Sequence, residues 1–572
     1  MASLMIEEYN NKIKEQLNAK YDYLQLGFFD GPVLFIGQNP GRPFNKETFS
    51  NTEKMRNDEI TYKELIQNSM MGKFLSTVID FDLISFTNIV KIPTINNEIP
   101  TELQISEFLP ITLKQIELFK PTTVVCLGKF AGSFFGLTDF YKKKKISGIE
   151  YMLFPHPSFL SRSGNMEENR TIMRIVLSQI KIINAWDFDN VIYVLFRENE
   201  KKIIKTIYQF KFYFYINSVD AKKLQDIQDI KIIDEGTFSK VYCNSINKEL
   251  VREKVKTFEA DLSLSKRFVL DYNVMLEDKL KILFFDIETD DSIGNIEIGR
   301  DQILSWAAVD TNGSIYYNSS NDEKEVLLKL RNIFKEYDII CGWNSSKFDM
   351  PYIRDRFKKH SIYYNFKENL HIDLMRRYIK LFAPAMTMLG LTGFSLNEMS
   401  ETFLGKKKID INEKIYLLFK NDPQKLKEYN IQDSVLLKEL NDKMKTIELM
   451  IREATITKTF LDRFYIGNLL DDYILNEANK RNFHLASKPV DSEFEKRKII
   501  NIRGAFVKKP QKGYYSNVQV YDFKSLYPSI IIGWNIGTDS LNESISVSTN
   551  DDFETWLNGR PIEDINIGEW TL

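Results

Sequence analysis

"KILFFDIETDD", residues 281–291, is an apolar run that ends in acids, the pattern of a buried strand whose last residues reach a site. Strand side chains alternate, so Asp286 and Glu288, two apart, fall on the same face. "QILSWAAVD" (302–310) and "SIYYN" (314–318) read as neighbouring strands, and "KEVLLKLRNIFKEY" (324–337) as an amphipathic helix. "DIICGWNSSKFDMPYIRDRF" (338–357) reads as strand, loop and helix, with Asn344, Phe348 and Asp349 at the junction. "KLKEYNIQDSVLLKELNDKM" (425–444) reads as a helix that carries Tyr429 and Asp433 four apart, one turn, on one face. Four carboxylates from three elements suit two hard divalent cations, with water and a substrate phosphate completing the shells. One cation would lower the pKa of a water and both would stabilise charge on an attacked phosphate. Tyr429 could orient that water.

Working outward, 572 residues are too many for one core, and about three to five domains are expected. Hydrophobic residues at 43% and charged residues at 27% fit an ordinary globular chain. Cys126, Cys243 and Cys341 are far apart and form no CxxC pair, which argues against a disulfide framework or a thiolate zinc site. A reducing, intracellular setting, such as a bacterial cytoplasm, is the expectation. The start, "MASLMIEEYNNKIKEQ", has acids where a signal peptide has an apolar run, and no stretch approaches the ~18 apolar residues of a membrane span. Net charge is −2, from 77 basic and 79 acidic residues, which leaves nucleic acid open, since a local basic channel is enough. The runs Lys142–Lys145 and Lys406–Lys408 read as solvated loop faces.

The expected fold is a multidomain α/β chain divided at 1–187, 188–275, 276–450 and 451–572. In the first segment, strands in "GPVLFIGQNPG" (31–41), "PTTVVCLGKFAGSFFGL" (121–137) and "MLFPHPSFL" (152–160) alternate with helical text, and the last is read as strand and loop. The second segment is rich in β-type runs such as "FKFYFYI" (210–216) and shows no chemical motif. The fourth opens with helical text and continues with the expected strands "GAFVKKP" (504–510) and "NVQVYDF" (517–523).

"DIET" (286–289), "NSSKFD" (344–349) and "YNIQD" (429–433) resemble the three exonuclease motifs of family B DNA polymerases. "FEADLSLSKRF" (258–268), "HIDLM" (371–375) and "FSLNEMSETFLGKKK" (394–408) fit the same family. The resemblance implies an RNase H-like 3′→5′ proofreading domain. Its two Mg²⁺ or Mn²⁺ ions would be held by Asp286, Glu288, Asp349 and Asp433, with Tyr429 beside them and Asn344 and Phe348 against the DNA end.

"VYDFKSLYPSIIIGWNI" (520–536) resembles the first polymerase motif of that family, at the start of its palm. By that resemblance Asp522 binds both metals and the Phe523 carbonyl adds an oxygen. The amides of Ser525 and Leu526 would cradle a nucleoside triphosphate, as backbone N–H groups suit anions. Tyr527 would stack under the sugar and exclude a 2′-hydroxyl. The family draws its second carboxylate from a later "DTD" hairpin, and its fingers from a helix with a Lys and "NSxYG" text. Neither follows residue 537, and "NDDFE" (550–554) is too close to Asp522 to serve. The expectation is a second polypeptide carrying fingers, thumb and remaining palm, or a truncated sequence. DNA, as primer-template and single-stranded 3′ ends, and dNTP are the implied partners.

"GQNPG" (37–41), "FTNIVKIPT" (86–94), "VVCLGKFAG" (124–132) and "FPHPSFLS" (154–161) resemble, in this order, the uracil-DNA glycosylase superfamily. Its α/β/α fold is therefore expected over 1–187. The Asn88 amide, donor and acceptor together, matches the edge of a flipped uracil. By the resemblance His156 stabilises the departing uracil anion. Gly37, Gln38 and Asn39 hold a water at the sugar carbon, and the loop with Ser158 pinches the DNA backbone. Asn39 stands where some relatives have an acid; it can position water but cannot take its proton. Ile92 stands where one branch has a cluster cysteine, so no iron–sulfur cluster is expected. Phe44 is the candidate for stacking on the base. Two other readings stay open: a repair nuclease and glycosylase with a vestigial palm, and a non-catalytic DNA-binding scaffold for a separate polymerase half.

Overall fold

The computed structural model describes residues 2–21, 24–40, 61–94, 98–498 and 511–537. Phe44, the expected strand at 504–510 and "NDDFE" lie outside them. The chain divides into two compact units, 1–494 and 495–572. No helix among the described residues is long and apolar enough to cross a membrane.

The first sheet holds β1 (Phe28–Phe29), β2 (Val33–Gly37), β3 (Ile84–Asn88), β4 (Thr123–Leu127), β5 (Lys143–Ile146) and β6 (Ile149–Phe154). Their order is β1-β3-β2-β4-β6-β5, with β3, β2, β4 and β6 mutually parallel and the two edge strands antiparallel. Alternation along β2 sends Leu34 and Ile36 into one core with Phe108 of the helix Glu102–Phe119, and Phe35 into the other. A parallel sheet covered on both faces follows. The connection from β2 runs to β3 on one side and the chain then crosses to β4 on the other. The carboxyl ends of the strands therefore open a crevice at that switch point. Two local readings change here. Lys143–Ile146 forms the edge strand β5, with Lys143 paired to Glu150 at 3.2 Å, so this run is not a loop face. After β6 the chain enters a helix, Pro157–Ser163, because Pro157 suits the first helical position and the His156 ring accepts the Ser158 N–H.

β7 (Ile182–Phe188), β8 (Val191–Glu198) and β9 (Lys201–Ile207) form an antiparallel meander. Its turns, Asp189–Asn190 and Asn199–Glu200, have φ of 50°, 59°, 49° and 65°. Two consecutive left-handed residues match the twist of a tight hairpin. The expected boundary at 187 falls inside β7. The meander is buried on both faces: Ile192, Val194 and Phe196 join the core that contains Phe35, while Leu195 joins the core beneath the third sheet.

β10 (Phe214–Asn217), β11 (Lys231–Asp234), β12 (Phe238–Tyr242) and β13 (Thr257–Phe258) follow in the order β11-β12-β10-β13. Beside them every residue of the helix Leu264–Asp271 is buried, Arg267 included. Arg267 donates to Glu259 Oε2 at 2.6 Å and stacks 4.6 Å from the Tyr213 ring centre, while the Tyr213 hydroxyl donates to Asp271 at 2.9 Å.

The third sheet holds β14 (Ile282–Thr289), β15 (Ile303–Asp310), β16 (Ile315–Ser319), β17 (Ile339–Gly342) and β18 (Leu370–Asp373), in the order β16-β15-β14-β17-β18. β14 pairs antiparallel with β15 and parallel with β17, and its register shifts between Glu288 and Thr289. Leu283, Phe285 and Ile287 pack on one side with Leu330 and Phe334; Ile282 and Phe284 pack on the other with Leu436, Leu437 and Leu440 of the helix Pro423–Met444. The helix Thr446–Thr457 runs across the expected boundary at 450.

In the second unit "NVQVYDF" is not a strand: residues 517–523 are exposed and outside regular structure. A strand holds only when paired, and its expected neighbour at 504–510 lies outside the described residues. The helix Leu526–Gly533 follows Ser525, which has φ 53°.

Candidate active site

β14 and the helix Pro423–Met444 bring Asp286, Glu288 and Asp433 together: one carboxylate oxygen from each lies within 4.8 Å of the others. Asp286 and Glu288 share the face of β14 that meets this helix. Asn430, one turn before Asp433, fixes the approach: its Nδ2 donates to Asp286 Oδ2 at 2.9 Å and its Oδ1 accepts from Ser305 Oγ at 3.2 Å. Ser434 Oγ donates to the Ala307 carbonyl at 3.0 Å and ties the next turn to β15.

Asp349 opens the helix Asp349–Lys359, at the strand-to-helix junction expected for it, and is buried. Asn344 begins that loop with φ 55°, its N–H donating to Asp373 at 3.0 Å. The Phe348 ring packs 5.0 Å from that of Tyr352.

Burial raises the pKa of Asp286 well above the usual range, helped by Glu288, Asp433 and Asp349. Glu288 is pushed up to about 8 by burial and then by Asp433. Asp349 rises to about 7, chiefly through burial, while the backbone N–H groups of Asp349 and Ile287 oppose the shift. Asp433 is raised by burial against the pull of Lys408. An array of acids that obstruct one another's ionisation is relieved by a cation. Asp349 Oδ1 and Asp433 Oδ1 are buried with no hydrogen-bond partner among the described residues, so lone pairs remain open. The acid set fits a divalent metal by this measure.

Lys408 was not expected here. It belongs to the run read as a solvated face, yet its Nζ lies 2.6 Å from Asp433 Oδ2 and 5.3 Å from the Tyr429 ring centre. Burial lowers its pKa less than Asp433 and Tyr429 raise it, so it stays charged. Tyr429 stands beside the acids, and burial together with Glu288 holds its phenol protonated. "LGKKK" and "YNIQD" carry no signal that they meet; only the third dimension joins them.

A second group lies at the carboxyl ends of β2, β3 and β6. Gly37 and Asn88 are register partners, and a Cβ at Gly37 would stand 2.4 Å from Asn88 Oδ1, so only glycine leaves room for this amide. Asn88 Nδ2 donates to the Tyr62 hydroxyl at 3.1 Å. Asn39 donates to Thr94 Oγ1 at 3.2 Å, and Gln38 donates to the Glu98 carbonyl at 3.1 Å. Lys91, fully buried, donates to the Asn88 carbonyl at 2.6 Å and Gln115 Oε1 at 2.9 Å, a bracing role absent from the sequence reading. His156 Nδ1 accepts the Ser158 N–H at 3.2 Å and lies 2.7 Å from Ser158 Oγ. This network places the ring proton of neutral His156 on Nε2. Burial, then Arg162, lowers its pKa, so the neutral ring is favoured.

In the second unit Asp522, Phe523 and Tyr527 are exposed, and the Ser525 and Leu526 amides sit at the start of the helix Leu526–Gly533.

Three family models match. Residues 283–445 match the RNase H superfamily, 25–179 the uracil DNA glycosylase superfamily, and 467–558 DNA polymerase family B. These matches define a multidomain chain assembled from nucleic-acid-processing families. In chain order its segments are similar to a uracil-DNA glycosylase-like domain, an RNase H-like domain and a segment of DNA polymerase family B. A DNA polymerase of Thermococcus litoralis is 26% identical over 325 residues, 50% of this chain and 19% of the relative. A DNA polymerase of Pyrococcus horikoshii is 27% identical over 324 residues, 50% of this chain and 26% of the relative. DNA polymerase 1 of Pyrococcus abyssi is 26% identical over 335 residues, 51% of this chain and 43% of the relative. The chain thus spans less than half the length of each. These matches carry no support for a second polypeptide.

Proposed function

We propose that this chain works in DNA replication as a family B DNA-directed DNA polymerase, with a metal-dependent 3′→5′ exonuclease that edits single-stranded DNA ends. The observation that carries the nuclease reading is the approach of Asp286, Glu288 and Asp433 within 4.8 Å, with open lone pairs on Asp433 and Asp349. These four acids would hold two Mg²⁺ or Mn²⁺ ions, which supply an activated water and charge stabilisation at the attacked phosphate. Tyr429 orients the water, Lys408 holds Asp433 in place, and Asn344 and Phe348 position the terminal nucleotide. Asp522 and the Phe523 carbonyl serve nucleotidyl transfer, and the Ser525 and Leu526 amides with Tyr527 bind dNTP. Purified chain is expected to shorten a labelled single-stranded oligonucleotide from its 3′ end with added Mg²⁺ or Mn²⁺. A chelator should stop this and fresh metal restore it. Undiminished digestion in excess chelator would overturn the metal role.

The glycosylase-like domain reads uracil through Asn88, and His156 Nε2–H faces the leaving base. Asn39 positions a water without deprotonating it, so excision is slow or absent. On uracil-containing DNA, wild type is expected to bind more tightly than to the thymine control, and Asn88→Ala to remove the difference. Fast excision by wild type would contradict the role given to Asn39, and equal binding of the two oligonucleotides that given to Asn88.

A further inference from the structure

A cleft of about 280 Å³ opens at the carboxyl ends of β17 and β18, lined in part by Ser346 of the loop that leads to Asp349. Its wall is the helix Leu374–Phe382, which presents Arg376 and Lys380 four apart, one above the other, both exposed. Neither has a carboxylate within ion-pair distance among the described residues. Lys380 Nζ lies 4.3 Å from the ring centre of Tyr465, which is 54% exposed at the cleft mouth. Arg377 is used differently: it donates to the Phe464 carbonyl at 3.0 Å, stacks 4.1 Å from the Phe464 ring, and so fixes the opposite wall. The buried acid of the cleft, Asp373, is already occupied, accepting the N–H groups of Asn344 and Ser346 at 3.0 Å each. That contact also anchors the cleft to the loop that ends in Asp349. The other acid, Asp462, lies exposed at the rim.

We propose that this cleft is a track for the phosphodiester backbone of single-stranded DNA leading to the carboxylate site, with Arg376 and Lys380 contacting phosphates and Tyr465 stacking on a base. The inference rests on the nuclease reading for what the track serves, and on the cleft alone for what it binds. Free cations in line with an exposed aromatic are the means by which proteins hold single strands without reading sequence.

The test uses the full chain, a fluorescent oligothymidylate, and the p-nitrophenyl ester of thymidine 5′-monophosphate, a substrate too small to reach the cleft. Arg376→Ala with Lys380→Ala is expected to weaken oligonucleotide binding about tenfold at moderate salt and to lower the salt slope by about 1.4, or 0.7 per lost phosphate contact. Tyr465→Ala is expected to weaken binding about tenfold with the slope unchanged. Digestion of the oligonucleotide should show a raised KM with kcat retained, and ester hydrolysis should equal wild type. Binding and slope unchanged in the double variant would overturn the track, as would parallel loss of ester hydrolysis, which would mark a role in the fold or the chemistry. If wild type hydrolyses neither substrate while the variants still lose binding, the nuclease reading falls and the track stands.

Discussion

Asp286→Ala with Glu288→Ala is expected to lower 3′-end digestion by about a thousandfold or more, the scale reached when one group that stabilises transition-state charge is deleted. The two residues supply two of the three acids whose oxygens converge within 4.8 Å, and on the metal-dependent reading proposed above Asp433 and Asp349 alone would leave a cation with half its protein oxygens. The fold should persist. Both side chains are acids whose ionisation burial and mutual charge already oppose, so their removal relieves repulsion rather than emptying a core. Circular dichroism and the thermal midpoint should match or exceed wild type while a gel assay shows intact primer ends. Wild-type digestion by this variant would remove the acids from the chemistry.

The second large effect is on stability. Arg267→Met is expected to destabilise the first unit by about 3–5 kcal/mol, the cost of breaking a buried ion pair from one side. Arg267 is 1% exposed and Glu259 4%, so the abandoned carboxylate cannot reach water. His484 Nδ1, 3.7 Å from Glu259, is too distant to replace a bond of 2.6 Å. Adding Glu259→Gln to the same chain should recover part of the loss, since the amide carries no charge to strand. Urea denaturation read by fluorescence measures both, and a shift below about 1 kcal/mol for the single variant would show that the pair contributes little.

What could be read in advance follows from the range of the physics involved. The side-chain period of two puts Asp286 and Glu288 on one face, and the helical turn does the same for Tyr429 and Asp433; both rules are local, and the structure places the residues accordingly. Lys408 was illegible because its function depends on a loop folding back onto a helix 25 residues later, and "GKKK" in isolation has the composition of a solvated turn. Lys91 escaped for the reverse reason: a lysine in an apolar stretch reads as a boundary, and only the convergence of Thr87, Asn88 and Gln115 explains its burial. "NVQVYDF" has strand composition, but pairing is a property of two segments. The boundary at 187 followed a change of composition, whereas the chain changes partner a few residues earlier, where β7 begins.

The β7–β8–β9 meander has a consequence for how the first unit is inherited. Each of its faces completes the core of a different α/β body, so the meander behaves as a keystone. Removing the glycosylase-like body would strip water protection from Ile192, Val194 and Phe196, and removing the nuclease body would do the same to Leu195. A gene fusion that began as two tethered domains could later be undone by a single cut. Once a common sheet serves both cores, separation leaves each fragment with an exposed apolar face, and the two bodies persist or are lost together.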